Sequence, residues 1–336
     1  MATPAIRMFR RLEGLFCVYK PPGVHWKVVR NTIETNLLKG LDALPPQPLP
    51  QEVRFLEQPV SENEAAKGLT LTAASVPVLS KHPLVTGPEF QHIKVGVGHI
   101  LDTFSSGVQV LGVGNGNRAL NDFLRAPVTR DYTLQGEFGT ATHDFTHTGR
   151  VIEKSTYDHI TQDKLDRVMA ILEGANRKAM LIYSNVDMHS QEAYEMAVHG
   201  LLRPQGKSQA ILTGLRCINF QPPNFTLEVQ CINETQKYLC KVVHEIGLEL
   251  RSTAVCKGVR RTRDGPFTLQ DALTRNHWSA SDVKQAIRQY HASKNDLKYP
   301  HTQSKDPAAH PPEGSMTVNK MKPAKSSSRL NEISCC

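Results

Sequence analysis

With 336 residues, 39% of them hydrophobic, the chain can bury one large core or two ordinary ones, which excludes a disordered polypeptide. A formal net charge of +8 favours polyanionic partners such as RNA, although a basic matrix environment would select the same bias. Seven cysteines with no C-x-x-C pair argue for a reducing compartment and no structural metal, and no apolar run approaches the roughly 20 residues of a membrane span.

The opening MATPAIRMFRRLEG sets Arg7, Arg10 and Arg11 among Ile6, Met8, Phe9 and Leu12. Residues 1–12 therefore read as a short mitochondrial presequence or as a basic arm that touches RNA. GLFCVYKPPGV (14–24) is a strand halted by a Pro-Pro-Gly turn. A helical patch over Trp26 to Leu41 follows, then PPQPLP as loop, and the β-like runs EVRFL and LTLTA make residues 44–90 an insertion between core pieces.

KVGVGHILDTFSSGVQVLGVG (94–114) holds a single carboxylate, Asp102, among apolar residues. A carboxylate so placed is paired, hydrogen-bonded, reserved for chemistry, or simply a turn former. Further on, 117–126 has helical spacing and 130–139 alternates as a strand. Residues 161–174 read as a helix capped by Thr161 and ended by Gly174, and QEAYEMAVHG as a second helix closed by Gly200. ILTGLRCINF and NFTLEVQCIN read as paired strands. KYLCKVVHEIGLEL should be a helix with Leu239, Val242, Val243 and Ile246 inward, and SASDVKQAIRQYHA the last helix. The tail from about 293 is too rich in Lys, Pro and Ser to fold. Without strict β-α alternation the pattern is α+β.

Three motifs mislead. GVGNG (112–116) suggests a dinucleotide fold, but Asn117 stands where close approach to a pyrophosphate needs glycine. His143 and His147 flank Asp144, but the surrounding threonines and Gly149 make this a loop, which does not align two imidazoles for a metal. The terminal Cys335-Cys336 resembles a prenylation signal set in a loose tail.

In order and spacing, the remaining elements resemble the TruB family of pseudouridine synthases over roughly residues 12 to 265. They are Lys20-Pro21-Pro22-Gly23; Lys94 to Gly96 with Leu101-Asp102 and Gly107; Arg130-Asp131-Tyr132; Gly136 to Asp144; Tyr183-Ser184 with Ala193 to Gly200; Glu245 to Gly247; and Arg260-Arg261. The resemblance implies a catalytic domain at 13–292 with a mixed, largely antiparallel central sheet flanked by helices. It implies Asp102 as the nucleophile that attacks a flipped-out uridine, Tyr132 as the stacking platform, and Tyr238 and Val259 as pocket lining. It implies no cofactor and no metal. The expected partner is RNA in the mitochondrial matrix, mRNA first, then 16S rRNA or tRNA, with other mitochondrial pseudouridine synthases and RNA-granule proteins as companions.

Three departures bear on these roles. The family histidine five residues before the aspartate is Val97, while His99 sits three before it, with no role assigned. Where the family has Y-I-R this chain has Tyr238-Leu239-Cys240, so the arginine paired with the carboxylate is missing. Lys237, on the same helix face as Cys240, is the candidate to supply the charge. Finally, only a short helix and a basic tail follow Gly265, in place of the C-terminal PUA domain of bacterial members.

Overall fold

The computed structural model describes residues 4–45, 48–59, 69–187, 189–199, 204 and 209–298. The expectations placed on Gly200, on residues 299–336 and on Cys335 and Cys336 lie outside them. In chain order the elements are α1 (Pro4–Arg11), β1 (Gly14–Lys20), α2 (Trp26–Asp42), β2 (Gln51–Pro59), β3 (Leu69–Pro77), α3 (Pro83–Thr86), β4 (Val95–Val97) and β5 (Ser106–Val113). Then follow α4 (Gly116–Arg125), β6 (Arg130–Phe138), β7 (Thr140–Thr142), β8 (Val151–Lys154), α5 (Gln162–Tyr183) and α6 (Gln191–Val198). The last are β9 (Ile211–Gln221), β10 (Asn224–Ile232), α7 (Gln236–Glu249), β11 (Ala254–Asp264), β12 (Phe267–Thr268) and α8 (Ala280–Lys298).

The central sheet runs β1-β5-β11-β6-β10-β9, with β4 on β5 and β12 on β11. Among the named strands of the described residues, β5 and β11 alone pair in parallel, at Arg260 with Ser106 and Arg261 with Gly107. The fold is thus α+β with a mixed, largely antiparallel sheet. The parallel seam depends on one glycine: Gly107 has φ +112, and a Cβ there would lie 2.1 Å from the Arg261 carbonyl oxygen. No other residue fits.

Helices cover the sheet in separate patches. Leu239, Val242, Val243 and Ile246 of α7 and Leu165 and Met169 of α5 bury against Tyr132, Leu134, Leu227 and Val229. Val29, Ile33, Leu37 and Leu41 of α2 pack with Val283 and Ile287 of α8 against Phe16, Val18 and Leu111. The 3.6-residue apolar spacing of α2 and α7 is what turns these stripes inward. The 44–90 insertion carries the β2-β3 hairpin, a sheet of its own.

Several sequence expectations shift. The lead segment is helical, with Ala5 and Leu12 buried and Phe9 stacked on Phe90 at 5.3 Å. α5 does not end at Gly174; it continues to Tyr183. An interior glycine costs a helix only about 1 kcal/mol, and beyond it Asn176 ties α5 to β9 by accepting from the Leu212 N–H at 3.0 Å. Thr161 sits at the N-cap but its side chain makes no capping bond. α8 runs to Lys298, past the boundary expected near 292, because Val283, Ile287 and the Phe267-stacked Tyr290 fix its helical register. No helix among the described residues is long and apolar enough to cross a membrane.

Candidate active site

Asp102 lies on the loop joining β4 to β5, and neighbouring elements tie that loop down from both sides. Its own N–H donates to Gln236 Oε1 at 2.6 Å, and Gln236 Nε2 returns a bond to the Ile100 carbonyl at 2.9 Å. The Gly23 N–H, in the Pro-Pro-Gly turn, donates to the Thr103 carbonyl at 2.8 Å. Leu101 is fully buried, its N–H on Gln109 Oε1 at 3.1 Å. The anchored Leu101 takes the inward position and leaves Asp102 exposed. A nucleophilic carboxylate works best poorly solvated; in the free chain Asp102 is hydrated, and bound RNA would have to exclude the water.

Beneath the loop, Leu101, Tyr132, Val259, Leu239 and Cys240 share one core, with Tyr238 half-buried at its edge. Tyr132 is 1% exposed. Its hydroxyl donates to Glu234 Oε1 at 2.6 Å, and Arg130 Nε lies 2.9 Å from the same oxygen. Burial drives the Tyr132 hydroxyl well above its ordinary range, and it drives Tyr238 up to about 12. Both phenols stay neutral at neutral pH and act through their rings and as donors. Tyr132 and Val259 thus lie in the same core as Leu101, the neighbour of Asp102, and Tyr238 packs at that core's edge.

The charges are arranged differently from expectation. Lys237 is exposed and makes no ion pair among the described residues. Cys240 is a buried free thiol, hydrogen-bonded with the Cys256 thiol and within the fields of Asp144 and Asp102. The buried cation that feels Asp102 is Lys20. It is fully inaccessible and donates to the Ser105 carbonyl at 2.6 Å and the Pro21 carbonyl at 3.3 Å, which fastens the same loop from below. Burial lowers its pKa to about 8, opposed by the attraction of Asp102 and aided by the repulsion of Arg261. Lys20 thus both fastens the loop and sets a charge near Asp102.

Lys20→Met should lower turnover about tenfold or more at pH 7, since each 1.4 kcal/mol of lost stabilisation is a factor of ten. Wild-type turnover should fall as pH rises through about 8, where Lys20 loses its proton. Stability moves the other way. The folded pKa lies below the ordinary lysine value of 10.5, so the unfolded chain binds more protons between those values, and the wild type gains stability relative to Lys20→Met across that window. Rate profiles and denaturation at pH 7, 8 and 9 check both signs.

His99 is structural: Nδ1 sits 3.1 Å from Oδ1 of the buried Asp264, and its ring meets Phe123 edge-on at 5.3 Å. The neighbouring histidines are engaged too, His143 accepting from the Arg150 N–H at 3.0 Å and His147 resting 5.8 Å from Phe104. No cluster of three or more His, Cys, Asp or Glu able to hold a metal occurs among the described residues. Sequence reasoning missed Gln236 and Glu234. Their only signal was position, at the start of the helix that carries Cys240: Gln236 is its first residue and Glu234 lies two before it.

Residues 88–237 match the TruB family pseudouridylate synthase (N terminal domain). The chain is 55% identical over 294 residues to Pseudouridylate synthase TRUB2, mitochondrial, of Xenopus tropicalis, covering 87% of this chain and 90% of that one. It is 58% identical over 278 residues to the Homo sapiens protein of the same name, covering 83% and 84%. To Pseudouridylate synthase TRUB1 of Homo sapiens it is 33% identical over 199 residues, covering 59% and 56%. Identity of this order across most of both chains accounts for the shared loop, strand and helix positions: the chain belongs to the TruB family of pseudouridylate synthases.

Proposed function

We propose that the chain isomerises uridine to pseudouridine in mitochondrial RNA, mRNA first, with Asp102 as the nucleophile. The observation that carries this reading is the convergence of Asp102, exposed on a tethered loop, with Tyr132 and Val259 beneath it and the buried Lys20 within its field. The carboxylate attacks the uridine, the N1–C1′ bond breaks, and the uracil turns. A C5–C1′ bond then forms as C5 loses its proton and N1 gains one. Tyr132 supplies the stacking face, which in the free chain is covered, so the entering base displaces side chains packed over it. Tyr238 and Val259 wall the pocket. A flipped base loses a few kcal/mol of stacking, of which an aromatic platform returns about 1–3 kcal/mol. The mitochondrial compartment rests on the names carried by the TRUB2 relatives.

The test follows from the proton balance. RNA labelled with tritium at uridine C5 should release it to water when incubated with the purified chain. RNA binding without release would favour the second reading, an RNA-binding assembly factor, for which the specific observation is Cys240 in the arginine position. Cys240→Arg should raise turnover several-fold, at a stability cost of about 1–3 kcal/mol for overfilling a packed site. The same assay, with a melting curve, reads both.

A further inference from the structure

The turn that tethers the Asp102 loop leads directly into an aromatic and cationic cluster to which the catalytic reading gives no role. Gly23, bonded to the Thr103 carbonyl, is followed within three residues by Trp26, the first residue of α2. Three residues of chain span at most about 11 Å. Trp26 does not join the core stripe of Val29, Ile33, Leu37 and Leu41; it remains half-buried, with His25, Lys27 and Val28 exposed beside it. The His25 ring lies 5.5 Å from the indole, Lys27 Nζ 5.7 Å and the Arg30 guanidinium 6.0 Å from its centroid.

We propose that Trp26, with Lys27 and Arg30, forms a single-stranded RNA subsite that stacks a nucleobase near the target uridine and neutralises the adjoining phosphates. This rests on the uridine-isomerising reading above and extends it to substrate capture. An exposed cation over an indole strengthens association about two- to fivefold, and a stacked base about 5- to 150-fold. A base therefore displaces Lys27 or Arg30 from the ring at a net gain, and the freed cation moves to a phosphate. The net charge of +8 suits such a partner, and the subsite is continuous with the loop that carries Asp102.

The full chain bearing Asp102→Asn, which binds without turning over, provides the test with a uridine-containing single-stranded oligonucleotide. The chain has two tryptophans, and the other, Trp278, is 4% exposed with its indole N–H bonded to the Leu273 carbonyl. RNA should quench the Trp26 emission, and the quench should vanish in Trp26→Phe. Trp26→Ala should weaken RNA binding about 5- to 150-fold, the range set by one stacked base, and Trp26→Phe by less than about threefold. Lys27→Ala with Arg30→Ala should flatten the slope of log K against log salt by about 1.4, two phosphates at roughly 0.7 each. Tight RNA binding with unchanged emission and full affinity in Trp26→Ala overturns the subsite and leaves the isomerase reading standing. Failure of the wild-type chain to bind RNA overturns both, whereas RNA binding with the Trp26 quench but no tritium release overturns the isomerase reading and leaves the subsite standing.

Discussion

Asp102→Asn is expected to reduce pseudouridine formation by at least about 10⁴-fold while leaving fold and RNA affinity nearly unchanged. Loss of a covalent nucleophile is not made good by neighbouring groups. The structural cost should stay within about 0.5 kcal/mol, as for other surface positions, because the Asp102 side chain makes no hydrogen bond or ion pair among the described residues. Its loop is held through the main chain, by Gln236 and Gly23. Asparagine also removes the charge that raises the Lys20 pKa, so Lys20 should lose its proton at a lower pH than in the wild type. The rival carboxylate is Asp144, whose oxygens are taken up by the Thr146 N–H at 3.1 Å and the Thr146 hydroxyl at 2.9 Å. Asp144→Asn should cost loop order before it costs chemistry. Tritium release, RNA titration and melting curves on the two variants separate nucleophile from loop brace, and full activity in Asp102→Asn would place the nucleophile elsewhere.

What the chain revealed before folding follows the range of the interactions involved. The α7 stripe and the β6 alternation were legible because burial at period 3.6 or 2 is written into neighbouring residues. The Asp102 loop was legible because its flanking motif is contiguous. Its exposure was not, since that depends on Leu101 being bonded to Gln109 and drawn into the core under Tyr132. Lys237 looked suitable because helical spacing places it one turn from Cys240, yet spacing along one helix says nothing of the strand beneath. Lys20 comes to the loop from β1, which reaches it through pairing with β5. The Glu234–Tyr132–Arg130 cluster likewise joins β6 to the start of α7, about a hundred residues apart. Polar groups in such networks are isolated letters in a sequence and acquire meaning only through sheet register.

Arg261 is the residue on which that register places most weight, and Arg261→Met is expected to destabilise the chain by about 3–5 kcal/mol, the range for removing one partner of a buried ion pair. Arg261 is 1% exposed; Nε donates to the Val108 carbonyl at 2.8 Å, Nη2 to the His99 carbonyl at 2.6 Å, and Nη1 lies 3.7 Å from Asp264 Oδ2. Burial opposes its charge, and the Tyr132 hydroxyl with Asp264 and Glu234 more than offsets that. Methionine fills similar volume but leaves Asp264, fully buried, with His99 at 3.1 Å and the more weakly felt Arg130. In the wild type, burial acts to raise the Asp264 carboxyl but Arg261 and His99 hold it below its ordinary value. Its contribution is therefore present above the unfolded pKa and lost as pH falls through the folded one. In Arg261→Met the largest attraction opposing burial is gone and the charged Asp264 is less well compensated, so the stability deficit should be greatest at neutral pH and narrow on acidification. Arg261→Lys should recover only part of the loss, since an ammonium cannot serve two carbonyls and a carboxylate as a planar fork does. Arg260→Met is the control: Arg260 is exposed, 5.7 Å over the Tyr19 ring, and its loss should cost less than about 1 kcal/mol. Urea denaturation of the three variants between pH 4 and pH 7 measures the ordering and the pH trend. An Arg261→Met deficit no larger than that of Arg260→Met would show that the strand pairing of β11 with β5 and β6 stands without its buried cation.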